Sequence, residues 1–277
     1  MKGLYTMKVN TKPRKKSKLV LRVLLYFFIV VVVLSAAFII DSLRYMDNIK
    51  IMKAENWGWP DSNIEPTYKN LQYGNYNGGD LLLDIYIPDQ VTIQEEPYPL
   101  VIVTHGGGWQ MGGKEVFEPG VYYLLKHGYA IASIDYTYST VAKWPVQGEQ
   151  VKGAVRWLRA NAGAYNLDPD RFASFGGSAG GQLSSFLGTT NGLEQYDSDA
   201  YGNMDYSSDV QAAVAWYAPN DFFLDYEFSF LNLLFLDGNK SNPNSGFGVL
   251  LGGSVNKNTE LAEDASCECQ YKVYQKR

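Results

Sequence analysis

The chain has 277 residues, 46% of them hydrophobic and 14% aromatic, with 29 acidic against 24 basic side chains. That much apolar side chain can bury one large core, which excludes an intrinsically disordered chain, and the acidic balance gives no electrostatic support to a nucleic-acid partner. Charge is unevenly placed: eight of the 24 basic residues and no acid precede Asp41, leaving 16 basic against all 29 acidic residues in the rest.

Residues 1–18 form a basic segment, predicted to be cytoplasmic, and 19–40 read LVLRVLLYFFIVVVVLSAAFII. As a helix this run spans the roughly 30 Å of bilayer hydrocarbon, and Arg22 sits close enough to the basic end to extend back to the interface. The expectation is a single-pass anchor in the cell membrane that holds the N-terminus inside and exports the remainder of the chain. A cleaved signal peptide with Ser35-Ala36-Ala37 at its cleavage site is the alternative. Residues 41–66, with Trp57, Trp59, Pro60 and Pro66 and no periodicity, read as a tether, and a catalytic-size domain is expected over 67–277.

From Leu81 short apolar runs alternate with helical patterns, which predicts an α/β fold, a mostly parallel sheet flanked by helices. Strands are expected at 81–88, at the start of 98–109, at 129–136, at 171–175 and at 210–218. Helices are expected at 119–127, at 145–162, where Val151, Ala154, Val155 and Leu158 share one face, from 181 to about 189, and near Asn258. Asp168-Pro169-Asp170 reads as a turn, and the aromatic-rich stretch 221–250 as an insertion over a site.

Two glycine-rich turns carry the chemistry. In Gly176-Gly177-Ser178-Ala179-Gly180 the pattern Gly-x-Ser-x-Gly follows a strand and opens a helix, the setting that lifts a nucleophilic hydroxyl above a sheet. Gly176 and Gly180 flank Ser178 where strand and helix pass too closely for side chains. The N–H of Ala179 then points where an oxyanion would form. His105-Gly106-Gly107-Gly108-Trp109, 73 residues before Ser178, follows another strand, and its glycines let backbone N–H groups face the same oxyanion; Gly107 or Gly108 is the second donor.

On LDIYIP, HGGGW, the helix end WLRANA, LDPDRF and FGGSAGG, the sequence from about Leu81 to Ala265 resembles the α/β-hydrolase superfamily. Within it, the likeness is to the hormone-sensitive-lipase-like esterases and the feruloyl and acetyl esterases. The resemblance implies carboxylester hydrolysis through an acyl-enzyme on Ser178, a Ser-Asp-His triad, a small-molecule or polysaccharide-linked ester as substrate, and no metal or organic cofactor.

The pattern breaks late in the chain. The family places acid and histidine after the nucleophile, yet the two histidines here, His105 and His127, both precede Ser178. His105 reads as a structural part of the oxyanion loop and His127 as an exposed helix end. Asp221 follows a strand but one strand too early for the acid, and Asp225 and Asp237 have less support. After LAEDAS the tail CECQYKVYQKR departs from the family, and its codons read one base later can spell a strand-like sequence. The expectation is therefore a sheet lacking its C-terminal strands, an aberrant tail over 266–277, and impaired turnover; the alternative is a membrane-tethered binding protein without catalysis. Cys267 and Cys269 are expected in that polar tail, with no metal site. Trp109, Trp144, Tyr217, Phe222, Phe223 and Phe230 are candidates either for an acyl pocket or for plain core.

Overall fold

A computed structural model describes Tyr26 and residues 64–88, 96–115, 119–224 and 240–267. The chain divides into two compact units, Met1–Gly58 and Trp59–Arg277, and all described residues but Tyr26 belong to the second. Among the described residues no helix is long and apolar enough to cross a membrane, and the run 19–40, Tyr26 apart, lies outside them.

Six strands form one mixed sheet: β1 (Tyr68–Tyr76), β2 (Gly79–Tyr86), β3 (Tyr98–Thr104), β4 (Ala130–Ile134), β5 (Leu167–Gly177) and β6 (Ala212–Trp216), in the order β1-β2-β4-β3-β5-β6. The pairs β4–β3, β3–β5 and β5–β6 are parallel, while β1–β2 and β2–β4 are antiparallel. Among the described residues the α-helices that flank it are α1 (Val146–Ala160), α2 (Ala179–Thr189), α3 (Gly246–Leu251) and α4 (Thr259–Ala265). This is the arrangement of an α/β-hydrolase fold.

The unbroken apolar run of β3 has its cause in burial on both faces. Leu100 and Ile102 join the larger core with Val151, Val155 and Leu158 of α1 and Leu183 and Phe186 of α2. The alternate residues Val101 and Val103 pack with Val121, Ile131 and Phe175 on the other face. Period-two alternation is lost when both sides are apolar.

The segment 119–127 is helical as expected but winds as a 3-10 helix, Pro119–His127. Strand β1 had no counterpart in the sequence reading. Its YKNLQYGNY carries mostly exposed or half-buried side chains, so no apolar stripe marks it. The predicted turn at Asp168-Pro169-Asp170 falls within the span of β5 as a bulge. There the register against β3 jumps from Tyr98↔Leu167 to Leu100↔Phe172, and Asp168 Oδ1 accepts from the Asp170 N–H at 3.0 Å.

The expected helix near Asn258 is α4, and the start of the tail beyond it is core. Trp144 Nε1 donates to Asp264 Oδ2 at 2.6 Å, and the Tyr196 hydroxyl donates to Asp264 Oδ1. Ser266 Oγ donates to the Ala262 carbonyl at 2.6 Å and accepts from the Phe222 N–H. Cys267 is buried with its Sγ 3.3 Å from the Gln182 carbonyl, which corrects the expectation of a polar tail beginning at 266. Residues 268–277, Cys269 among them, and residues 225–239, with Asp225, Phe230 and Asp237, lie outside the described residues.

Candidate active site

Strands β3 and β5 run parallel, so the loops that follow them emerge at the same end of the sheet. Ser178 occupies the turn between β5 and α2 with φ 55° and ψ −123°, a conformation L-residues adopt only under constraint. Three contacts impose it. Its N–H donates to the Trp216 carbonyl at 2.9 Å, its carbonyl accepts from the Gln182 N–H at 3.1 Å, and its neighbours have no room to relax. A Cβ on Gly176 would lie 2.2 Å from the Gly180 carbonyl oxygen, and one on Gly180 would lie 2.0 Å from that of Thr104.

The loop after β3 meets this turn directly. A Cβ on Gly106 would stand 3.5 Å from Ser178 Cβ. Gly107, Gly108 and Trp109 follow with φ of 107°, 59° and 59°, and the Gly107 carbonyl accepts from both Gln110 and Met111. Among the described residues the N–H groups of Gly107 and Gly108 donate to no other group. The N–H of Ala179, first residue of α2, belongs to the unspent donors of a helix N-terminus. The half-buried Ser178 hydroxyl therefore shares one end of the sheet with three backbone donors available to an anion.

Residues that sequence reasoning did not single out, Gln182, Lys114 and Asp84 among them, hold this loop. Trp109 Nε1 donates to Gln182 Oε1 at 3.1 Å, and Gln182 Nε2 donates to the Ala265 carbonyl at 2.9 Å, tying the loop through α2 to the end of α4. Trp109 is buried against Phe222 and Phe247. Trp144 is also buried, so of the six aromatic candidates these two and Phe222 are core, Phe223 is partly buried against it, and Tyr217 is exposed. At the other end of the loop, Lys114 is fully buried and Nζ bonds Asp84 Oδ2 and Glu115 Oε1, both at 2.9 Å. Burial alone would lower its pKa; the bonds to Asp84 and Glu115 outweigh this and raise it, so the ammonium stays charged. The Lys114 N–H donates to Asp135 Oδ1, and its carbonyl accepts from Ser133 Oγ. Lys114 carried a signal in the sequence only as a lone cation between glycines and a glutamate.

Neither histidine faces Ser178. His105 is buried with Nδ1 2.7 Å from the Gly106 carbonyl, which makes Nδ1 the protonated nitrogen, and its ring stacks on Tyr136 at 4.3 Å. The Tyr136 hydroxyl donates to the His105 carbonyl at 3.2 Å. Burial lowers the His105 pKa, the bond to Gly106 opposing this, and among the described residues Nε2 has no hydrogen-bond partner. His127 ends the 3-10 helix that precedes the N-terminal end of β4, the opposite end of the sheet from Ser178, and is exposed as expected. Asp221 Oδ1 caps the Phe223 N–H at 2.8 Å, a local turn bond that fits the structural role expected of it.

Residues 83–271 match the BD-FAE family. The chain belongs to that family. Among curated relatives, the probable carboxylic ester hydrolase LipM of Mycobacterium tuberculosis is 32% identical over 154 residues, covering 55% of this chain and 35% of that protein. The versiconal hemiacetal acetate esterase of Dothistroma septosporum is 34% identical over 89 residues, 32% of this chain and 27% of that one. The chain thus spans about a third of the length of the curated relatives it matches. Among solved structures, a bifunctional GH43-CE protein of Bacteroides eggerthii superposes with a TM-score of 0.61 at 29% identity, covering 73% of this chain and 26% of that one. A truncated form of a carbohydrate esterase from gut microbiota gives 0.59 at 25%, covering 76% and 73%. The curated relatives it matches carry the names of esterases and carboxylic ester hydrolases.

Proposed function

We propose that Ser178 is the nucleophile of an ester-cleaving reaction. Its Oγ attacks the ester carbonyl, the oxyanion is held by the N–H of Ala179 with that of Gly107 or Gly108, the alcohol leaves, and water releases the acyl group from Oγ. The observation that carries this reading is the φ of 55° at Ser178, in a turn packed against Gly106 of the glycine loop. The names of the relatives support a carbohydrate-linked or small-molecule ester as substrate.

The reaction needs a base to take the hydroxyl proton and hand it to the leaving alcohol. Within these 277 residues His105 is turned into the loop and His127 sits at the other end of the sheet, so Ser178 has no imidazole partner. Removing triad members lowers turnover by about 10⁴ to 10⁶, so turnover at Ser178 is weak unless a base is supplied from outside these residues. The same placement of the histidines favours a second reading, a surface protein that binds an ester or glycan without turning it over. The basic segment and the run 19–40 support a membrane-anchored, outward-facing domain.

Labelling of the purified full-length chain by a fluorophosphonate probe tests the nucleophile. Labelling that is lost in Ser178→Ala supports it. Absence of labelling with an intact fold by circular dichroism favours the binding reading. Hydrolysis of short p-nitrophenyl esters, acetylated xylan and feruloyl esters then ranks substrates.

A further inference from the structure

The two edges of the sheet are built differently. Among the described residues β1 ends it on one side and β6 on the other. β1 is defended against pairing with another chain: its register against β2 shifts twice, Asn70 takes a φ of 57°, and Lys69 stands exposed on it. Bulges and edge lysines are the usual devices that keep an edge strand from accepting a neighbour. β6 has neither. Residues 210–218 read VQAAVAWYA, without a charge or a proline, and the pairing of β6 with β5 runs without a shift.

The composition of β6 is at odds with its exposure. Its AAVAW is as apolar as the AIASI of β4, yet β4 is buried at every position whereas Ala212, Ala213, Val214 and Trp216 are exposed. Val214 is 44% exposed, Trp216 46%, and Tyr217, the next residue, 69%. An apolar strand left open at a sheet edge gains by burial against an added strand.

The strand is complementary to itself. Side chains alternate along a strand, so Ala212, Val214 and Trp216 share the face on which Trp216 meets the Phe175 ring, centroids 5.2 Å apart. Two copies of β6 set antiparallel about a two-fold axis at Val214 oppose that valine to itself and each Trp216 to the Ala212 of the other copy. A large ring then lies over a methyl on both sides of the axis. On the other face Ala213 opposes Ala215, methyl against methyl. No like charges meet along the pairing, because 210–218 carries none. Aromatic side chains bury roughly 150–250 Å² each, so the exposed parts of Trp216 and Tyr217 offer about 250 Å² per copy. With Val214 and the strand backbone added, the pairing closes roughly 900 Å² in total, close to the ~1,000 Å² of a specific interface and fitting a reversible one.

We infer that β6 pairs antiparallel with the β6 of a second copy of this chain, joining two six-stranded sheets into one. Such a pairing uses the same surface on both copies and closes at two. It is independent of Ser178 chemistry.

The test is the mass of the full-length chain in detergent, by light scattering and sedimentation, over about 1 to 200 μM. A monomer–dimer equilibrium is the expected result, with dimerisation weakened tenfold or more by Val214→Lys, which sets two ammonium groups against each other at the axis. Val214 is exposed, so the substitution leaves the core intact, and circular dichroism checks the fold. Val214→Cys supplies a second readout that needs no loss of stability. Mild oxidation should link two copies through residue 214 above the background from Cys267 and Cys269, and Tyr123→Cys, at an exposed position away from β6, should add no link. A monomeric parent chain, a dimer that Val214→Lys leaves unchanged, absence of the 214 link, or a series of ever larger species would each overturn the inference. A parent that dimerises only once residues 268–277 are deleted would also overturn it, by showing that the tail takes this edge.

Discussion

The buried pair at the end of the oxyanion loop makes a sharp prediction for Lys114→Met. The substitution keeps the aliphatic stem and removes only the charge. Asp84, whose side chain has no exposure, would be left as a carboxylate with one remaining bond, from the Asn70 N–H at 2.6 Å. Breaking one side of a buried pair costs about 3–5 kcal/mol. The contact with Glu115 adds little, because that side chain is 65% exposed. Taking about 4 kcal/mol and a urea m-value of about 2 kcal/mol/M, the unfolding midpoint falls by roughly 2 M, a large share of the ~5–15 kcal/mol of a typical domain. The double variant Asp84→Asn with Lys114→Met retains the acceptor for Asn70 and removes the orphaned charge, so it recovers at least half of the loss. Urea titrations followed by circular dichroism measure both. A midpoint shift below about 0.5 M for the single variant, or a double variant no more stable than the single one, would refute the assignment of stability to this ion pair.

Other substitutions and conditions have equally definite outcomes. Gly180→Ala gains about 1 kcal/mol of helix propensity but drives a methyl against the Thr104 and His105 carbonyl oxygens, 2.0 and 2.6 Å away, so calorimetry should show a net loss of about 2 kcal/mol or more. Gly163→Ala, with nothing within 4 Å, should be neutral or slightly stabilising in the same scan. For His105 the folded pKa lies below the unfolded value, so the unfolded chain binds more protons and stability falls as pH drops below about 6.5. Replacing His105 by Asn should flatten that part of the slope between pH 7 and 5, and an unchanged slope would show that the imidazole does not contribute. In cells, the full chain should resist alkaline carbonate extraction from membranes, with its hydrolase domain open to external protease; a soluble released form would point to cleavage after the run 19–40 instead.

The central strands and the elbow were legible because each is over-determined. β3 and β4 are buried on both faces and so are apolar along most of their length, and Gly176 and Gly180 stand where any Cβ would collide with backbone. β1 was illegible because its side chains are exposed or half-buried along most of its length, so no apolar alternation marks it. The supports of the oxyanion loop were hidden for a different reason. Lys114 meets Asp84 and Trp109 meets Gln182 across 30 and 73 residues of sequence, and a single sequence carries no trace of which distant partner neutralises a buried group. Cys267 was misplaced because its polar surroundings in sequence say nothing of the core groove that receives it.

Gln182 gives the molecule a weak point that its core would not suggest. The seven residues of α4 are too few to stay helical by themselves and depend on their docking. When heat loosens that docking, the Ala265 carbonyl withdraws from Gln182, the amide is freed to turn, and the Trp109 indole loses the acceptor that fixes its loop. The glycine loop should therefore melt as part of a small cooperative unit with α4, at a lower temperature than the β3–β5 centre of the sheet. Warming the protein would disorder the glycine loop beside Ser178 while its far-UV spectrum still read as folded.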